Sequence, residues 1–148
     1  SLHDALPIYY EVAYDSIVKS GYWFLYSGLY AVDANGAIIT SGVRQLWAGI
    51  AYSSVGVPDS ADGYFAVIDG NSNYSHGIDP VAQGDVFGFH IDTDTNIVSV
   101  RKNGSLFANS VQTFGANNKW IPYIAGRSNC TATVNITSDT WVYDPSNY

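Results

Sequence analysis

The stretch GDVFGFHIDTDTNIVSVRKNG, residues 84–104, decides how the chain folds. In VFGFHID, Phe87, Phe89 and Ile91 fall on one parity, and Val86, Gly88 and His90 on the other. In IVSVRK, Val98 and Val100 share a parity, with Ile97, Ser99 and Arg101 opposite. Alternation of period two assigns one set to each face of an extended strand. Between the runs lies a short segment rich in Asp and Asn, residues that tolerate turn dihedrals and bond their own backbone. The stretch therefore predicts a β-hairpin. A competing reading takes Asp92, Asp94 and Asn96 as the first ligands of a calcium loop. Such a loop needs Gly at its sixth position for the sharp turn and Glu at its twelfth for two oxygens. Ile97 and Asn103 stand there instead. The turn reading prevails, and no metal or other cofactor is expected.

Working outward, the same patterning predicts strands near residues 9–14, 22–32, 46–52, 64–68, 86–92, 97–101, 120–125 and 131–136. Turn clusters punctuate them at 33–36, 57–63, 69–73 and 103–104. No segment keeps a helical apolar period, and no repeat or linker divides the chain. At 148 residues, with 12 Tyr, 4 Trp and only 13% charged residues, one domain can bury about 70% of its unfolded surface. Eight or so short strands separated by turns imply an all-β, antiparallel β-sandwich or jelly roll.

The hairpin also resembles the signature of SPRY domains. The motifs that carry the likeness are Gly84-Asp85-Val86-Phe87-Gly88, then Asp92-Thr93-Asp94, then Lys102-Asn103-Gly104, with no gap needed. Weaker pieces follow the family's order. Tyr9-Tyr10-Glu11-Val12 resembles its early strand, and Leu46-Trp47-Ala48-Gly49-Ile50-Ala51 its Val-Gly-Ile-Ala strand. Trp120-Ile121-Pro122-Tyr123-Ile124 and residues 132–135 resemble its two late strands. Residues 21–42 are longer and more aromatic than the family pattern, and Ile136-Thr137 replaces its usual Phe-Gly. The resemblance implies a concanavalin-like jelly-roll sandwich and a binding module whose loops at one end recognise a protein segment. Similar short domains occur in phage and viral structural proteins.

Charge narrows the partners. The net charge is −7 with six Lys and Arg, and Arg101-Lys102 is the only adjacent cationic pair, so nucleic acid is not an expected partner. The most apolar run, YWFLYSGLYAV at 22–32, is too short to span a bilayer, and no membrane insertion is expected. Cys130 is the single cysteine and is expected to pack as a small apolar group. Sequons occur at Asn73, Asn103, Asn129 and Asn135. With no methionine in it, the chain is expected to belong to a longer protein. Residues 1–8, SLHDALPI, resemble a translated sequencing-adapter remnant and are set aside, leaving 9–148 as the domain.

Catalytic groups are sparse. Glycoside hydrolysis needs two carboxylates about 5–10 Å apart. Glu11 is the only glutamate and sits in a predicted strand, while Asp59, Asp62, Asp69 and Asp79 lie in turn segments. No nucleophile elbow and no Cys/His pair with zinc spacing is present. His90, within an alternating strand, reads as a structural histidine. Trp47 and Trp120 fall in predicted strands and are expected in the core. The segment 61–76 mixes aromatics with amides at a turn-rich edge, and Asp62, Tyr64, Asn71, Asn73, Tyr74 and His76 are its candidate ligand-binding residues. Amides pair with sugar hydroxyls or peptide backbone while rings cover apolar faces. The expectation is a non-catalytic module that binds a protein segment or a glycan through loops, within a larger phage, viral or surface protein. A structural virion or fibre domain without ligand is the alternative, and a jelly-roll glycoside hydrolase is a more distant one.

Overall fold

Alternation along the hairpin is realised as expected and extends to the whole sandwich. The computed structural model describes residues 8–51, 62–69, 72–108, 110–115 and 119–148. In chain order the strands are β1 (Ile8–Ser16), β2 (Phe24–Val32), β3 (Val43–Ala51), β4 (Asp62–Asp69), β5 (Ser72–Pro80), β6 (Val86–Asp92), β7 (Ile97–Lys102), β8 (Ser105–Leu106), β9 (Gln112–Thr113), β10 (Lys119–Arg127) and β11 (Thr131–Asn135). They form two sheets, in the orders β11-β1-β6-β7-β8, with β9 also on β7, and β10-β2-β3-β4-β5. Every pairing is antiparallel. The protein is an all-β sandwich.

Parity decides what enters the core. From the first sheet come Tyr10, Val12 and Tyr14, then Phe87, Phe89 and Ile91, then Val98 and Val100. From the second come Leu25, Leu29, Leu46, Ala48, Ile50, Phe65 and Val67. Trp23, Val81, Phe107 and Phe114 close the ends of the same cluster. Two tyrosines cross the interior with their hydroxyls. Tyr10 donates to Gly28 O at 2.8 Å, and Tyr14 donates to Ala48 O at 2.7 Å while bonding Ser27 Oγ at 3.0 Å. A phenol can be buried only where such a partner waits, because an unpaired hydroxyl in an apolar core costs about 1–3 kcal/mol.

Short polar contacts join the ends of the β6–β7 hairpin. Asp92 Oδ1 accepts from Asp94 N at 2.9 Å and Thr95 N at 3.1 Å. Hydrogen bonding from the Thr95 side chain first, then from these backbone donors, holds its pKa down. Asn96 takes the left-handed conformation that closes the turn. Asp92 is a turn former. At the other end Asn103, also left-handed, accepts from Val86 N at 2.9 Å and donates Nδ2 to Asp85 Oδ1 at 2.8 Å. Asp85 Oδ2 in turn accepts from Ala82 N at 2.8 Å. Gly84-Asp85-Val86 and Lys102-Asn103-Gly104 are thus two halves of one clasp. Lys102 extends it with an ion pair to Asp79 at 3.1 Å.

Two expectations need correction. Ser72 and Asn73, expected in the turn cluster at 69–73, and the residues on to Pro80, expected in no strand, form β5. It pairs with β4 from Asp69↔Ser72 to Asp62↔Pro80 around one bulge. Ser, Asn, His and Gly are poor strand formers, and the open edge of β4 supplies the hydrogen bonds that override them. Trp47 was expected in the core; its neighbours Leu46 and Ala48 take that parity, and Trp47 lies on the outer face against Ala66. Trp120 does pack on the core, edge-on to Phe114. Cys130 is half-buried, accepting from Val18 N at 3.2 Å and donating to Val18 O at 3.6 Å.

Burial raises the pKa of both Tyr10 and Tyr14 above the ordinary value of 10.0. The unfolded phenols ionise near pH 10, so the folded state, which keeps both protonated, has its full stability below that pH and loses it as pH rises further. Alkaline titration followed by circular dichroism should show cooperative unfolding that begins above about pH 10. Tyr14→Phe should lower stability by about 1–2 kcal/mol in urea at neutral pH, and make the alkaline loss shallower. An unchanged urea midpoint would contradict the cross-core role.

Candidate ligand-binding face

The second parity of the five-stranded sheet builds an aromatic layer on its outer surface. On β2 that parity reads Phe24, Tyr26, Gly28, Tyr30, and register sets these beside Trp47 and Gln45 of β3 and Tyr123 of β10. Three central cross-strand rows result. One runs Ile121, Tyr30, Gln45, Ile68, Asn73; the next Tyr123, Gly28, Trp47, Ala66, Ser75; the third Ala125, Tyr26, Gly49, Tyr64, Ile78. Along β2 the rings of Tyr30 and Tyr26 flank Gly28, and along β4 Ile68 and Tyr64 flank Ala66. A Cβ at Gly49 would sit 2.5 Å from Tyr26 Cβ, and one at Gly28 would sit 2.8 Å from Trp47 Cα. The nearest atoms are the backbone carbonyls, Leu46 O at 1.9 Å from the Gly28 position and Leu25 O at 2.4 Å from the Gly49 position, so these two glycines let β2 and β3 approach closely beneath the rings.

The layer is continuous. Ring centroids lie 5.1 Å apart for Phe24 and Tyr26, 4.9 Å for Tyr26 and Trp47, 6.2 Å for Tyr26 and Tyr123, and 4.5 Å for Tyr30 and Tyr123. Tyr22, 40% exposed, continues it edge-on to Phe24 at 6.1 Å. Gln45 Nε2 donates to Tyr123 Oη at 2.8 Å, fixing both polar tips. Burial among the rings raises the Tyr26 and Tyr123 pKa values, so both remain neutral hydroxyls at working pH. The three central rows carry no charged residue; the cations Lys119 and Arg127 stand at opposite ends of β10, with Arg127 over the Tyr22 ring at 4.9 Å.

Of the candidates read from sequence, Asn71 lies outside the described residues. Asp62 and Tyr64 belong to β4, and Asn73, Tyr74 and His76 to β5, so these five sit on a paired edge hairpin. Tyr64 and Asn73 fall in rows that also hold Tyr26 and Tyr30. Tyr74 pairs with Val67, a core residue, and His76 sits at the bulge. The aromatic layer of β2, β3 and β10 was not among the candidates named from the sequence. The signal was present in YWFLYSGLY, where positions 22, 24, 26 and 30 are all aromatic at one parity.

The opposite outer face is covered. Residues 136–148 run across the six-stranded sheet as a strap with single 3-10 turns at Ser138–Thr140 and Pro145–Asn147. Glu11, 0% exposed, accepts from Val142 N and Tyr143 N at 2.8 Å each and from the Tyr9 hydroxyl at 3.0 Å. Three donors offset the cost of burying the carboxylate. The sole glutamate therefore anchors the strap. Tyr9 stands edge-on to Trp141 at 4.8 Å, and the Arg101 guanidinium lies 3.9 Å from the Tyr148 ring centre. Of the aspartates that could partner a glycosidic acid, Asp79 is paired with Lys102, and among the described residues no cluster of three or more His, Cys, Asp or Glu could hold a metal.

None of the protein-family models or curated proteins compared with the chain matches it.

Glu11→Gln should release the strap, because the amide NH2 would face an N–H donor. Hydrogen exchange at Val142 and Tyr143 should accelerate, and stability should fall by about 3 kcal/mol. Unchanged protection of both amides would show that the strap is held by other means.

Proposed function

We propose that the protein is a non-catalytic, SPRY-like binding module of jelly-roll type, and that it holds a neutral glycan on the outer face of its five-stranded sheet. The observation that carries this reading is the aromatic layer of Tyr26, Trp47, Tyr30 and Tyr123, in cross-strand rows without a charged residue and with the Gln45 amide among its rings. Pyranose rings present C–H faces that stack on aromatic rings, and hydroxyls that pair with amides and phenols. Aromatic side chains offer that area at low entropic cost, since each has only two rotatable bonds to order. The protein's acidity and the lack of cations in the central rows weigh against a polyanion. Protein interfaces centre on desolvated anchors that include Arg and seat them in pockets; this face is an even sheet of rings.

Kinship with SPRY domains draws support from the clasp that joins Gly84-Asp85-Val86 to Lys102-Asn103-Gly104. The non-catalytic reading draws support from Glu11, whose oxygens are engaged by the strap.

A glycan array followed by calorimetry tests the proposal. The wild type should bind at least one neutral polysaccharide without releasing reducing ends from it. Trp47→Ala and Tyr30→Ala should each weaken binding by about tenfold or more, with circular dichroism unchanged. Silence across the array, or binding indifferent to both substitutions, would favour a structural domain without ligand; release of reducing ends would favour an enzyme.

A further inference from the structure

The strap borders an open cleft of about 640 Å³ on the outer face of the six-stranded sheet, on the side of the sandwich away from the aromatic layer. That volume lies within the range of about 300–1,000 Å³ usual for small-molecule sites. His90 from β6 contributes to its walls, and Ser138, Trp141, Tyr143, Asp144 and Ser146 from the strap contribute the rest of the chemistry.

The walls are held in place before any ligand arrives. The Trp141 indole N–H donates to Asn135 O at 3.2 Å, and its ring edge meets Tyr9 at an interplanar angle of 87°. Tyr143 is fixed through its backbone to Glu11 and lies over Gly104, where an added Cβ would come within 2.9 Å of the ring. Asp144 Oδ1 accepts from Ser146 N at 2.9 Å, a bond that lowers its pKa and keeps the carboxylate ionised. Burial lowers the His90 pKa, with Arg101 acting in the same direction and Asp92 against it. A neutral imidazole offers one donor and one acceptor. Preorganisation of this kind reduces the ordering cost of binding.

We propose that this cleft is a second binding site, distinct from the aromatic face, that takes a single neutral sugar residue. An indole wall suits the C–H face of a pyranose. The Asp144 carboxylate, the His90 imidazole and the Ser138 and Ser146 hydroxyls form a set that can both accept from and donate to ring hydroxyls. An anionic ligand would be repelled by Asp144, and a wholly apolar one would desolvate Asp144 and His90 without replacing their bonds to water. The site stands independently of the glycan reading of the sheet face, and the two are separable by substitution.

The test uses isotope-labelled protein and free neutral hexoses and N-acetylhexosamines at millimolar concentration, read by two-dimensional NMR. At least one sugar should shift the Trp141 indole N–H and the His90 resonances saturably. His90→Ala and Asp144→Ala should each weaken that binding by about tenfold or more, while Trp47→Ala leaves it unchanged. His90→Ala changes a sheet residue outside the strap, so its result stands even if Asp144→Ala loosens the turn at Pro145. Absence of any shift at Trp141 and His90, shifts that survive both substitutions, or shifts abolished by Trp47→Ala would each overturn the second site.

Discussion

The bonds from the Tyr10 and Tyr14 hydroxyls to Gly28 O and Ala48 O set the relation between the two sheets. Both tyrosines rise from β1, and both acceptors are backbone atoms of β2 and β3. A one-residue register slip of β2 or β3 within its sheet would move the acceptor out of reach and turn that strand's apolar set outward. Fixing β2 and β3 in this way also fixes what they show to solvent. Because Leu25, Leu29, Leu46 and Ile50 must face the tyrosines, Phe24, Tyr26, Tyr30 and Trp47 must face away. The aromatic layer is the obverse of the core, drawn from the same strands by the same alternation.

The two outer faces of the sandwich have opposite fates. The six-stranded sheet is covered by a segment of its own chain, anchored by one buried carboxylate. The five-stranded sheet presents rings that half-bury one another. The buried carboxylate is engaged by backbone donors of the strap, while the rings of the five-stranded sheet stay partly exposed.

Much of this was legible in the sequence, and the gaps have physical causes. Eight strands followed from alternation, and the turn at Asp92–Asn96 followed from the residues missing from a calcium loop. β5 was not legible because its formation depends on the edge of β4 and not on its own residues. The side taken by Trp47 was hidden because Leu46, Trp47 and Ala48 are all apolar, so alternation gives no sign there. The role of Glu11 was out of reach for another reason. Its partners lie 131 and 132 residues away, and nothing local in β1 announces a strap. The segment 61–76 was chosen for its mixture of rings and amides, a criterion that passes over a face assembled from β2, β3 and β10.

The lateral margin of the sandwich is where β10 and β11 end their sheets. A free strand edge is a template for another chain, and charge or proline along it discourages such pairing. β10 is so defended, with Pro122 interrupting its row of donors and Lys119 and Arg127 at its ends. β11 reads Thr-Ala-Thr-Val-Asn, without a charge or a proline, and its Val134 is 44% exposed. Any edge-to-edge association of concentrated protein along this margin therefore starts from β11, the one margin strand left without a guard.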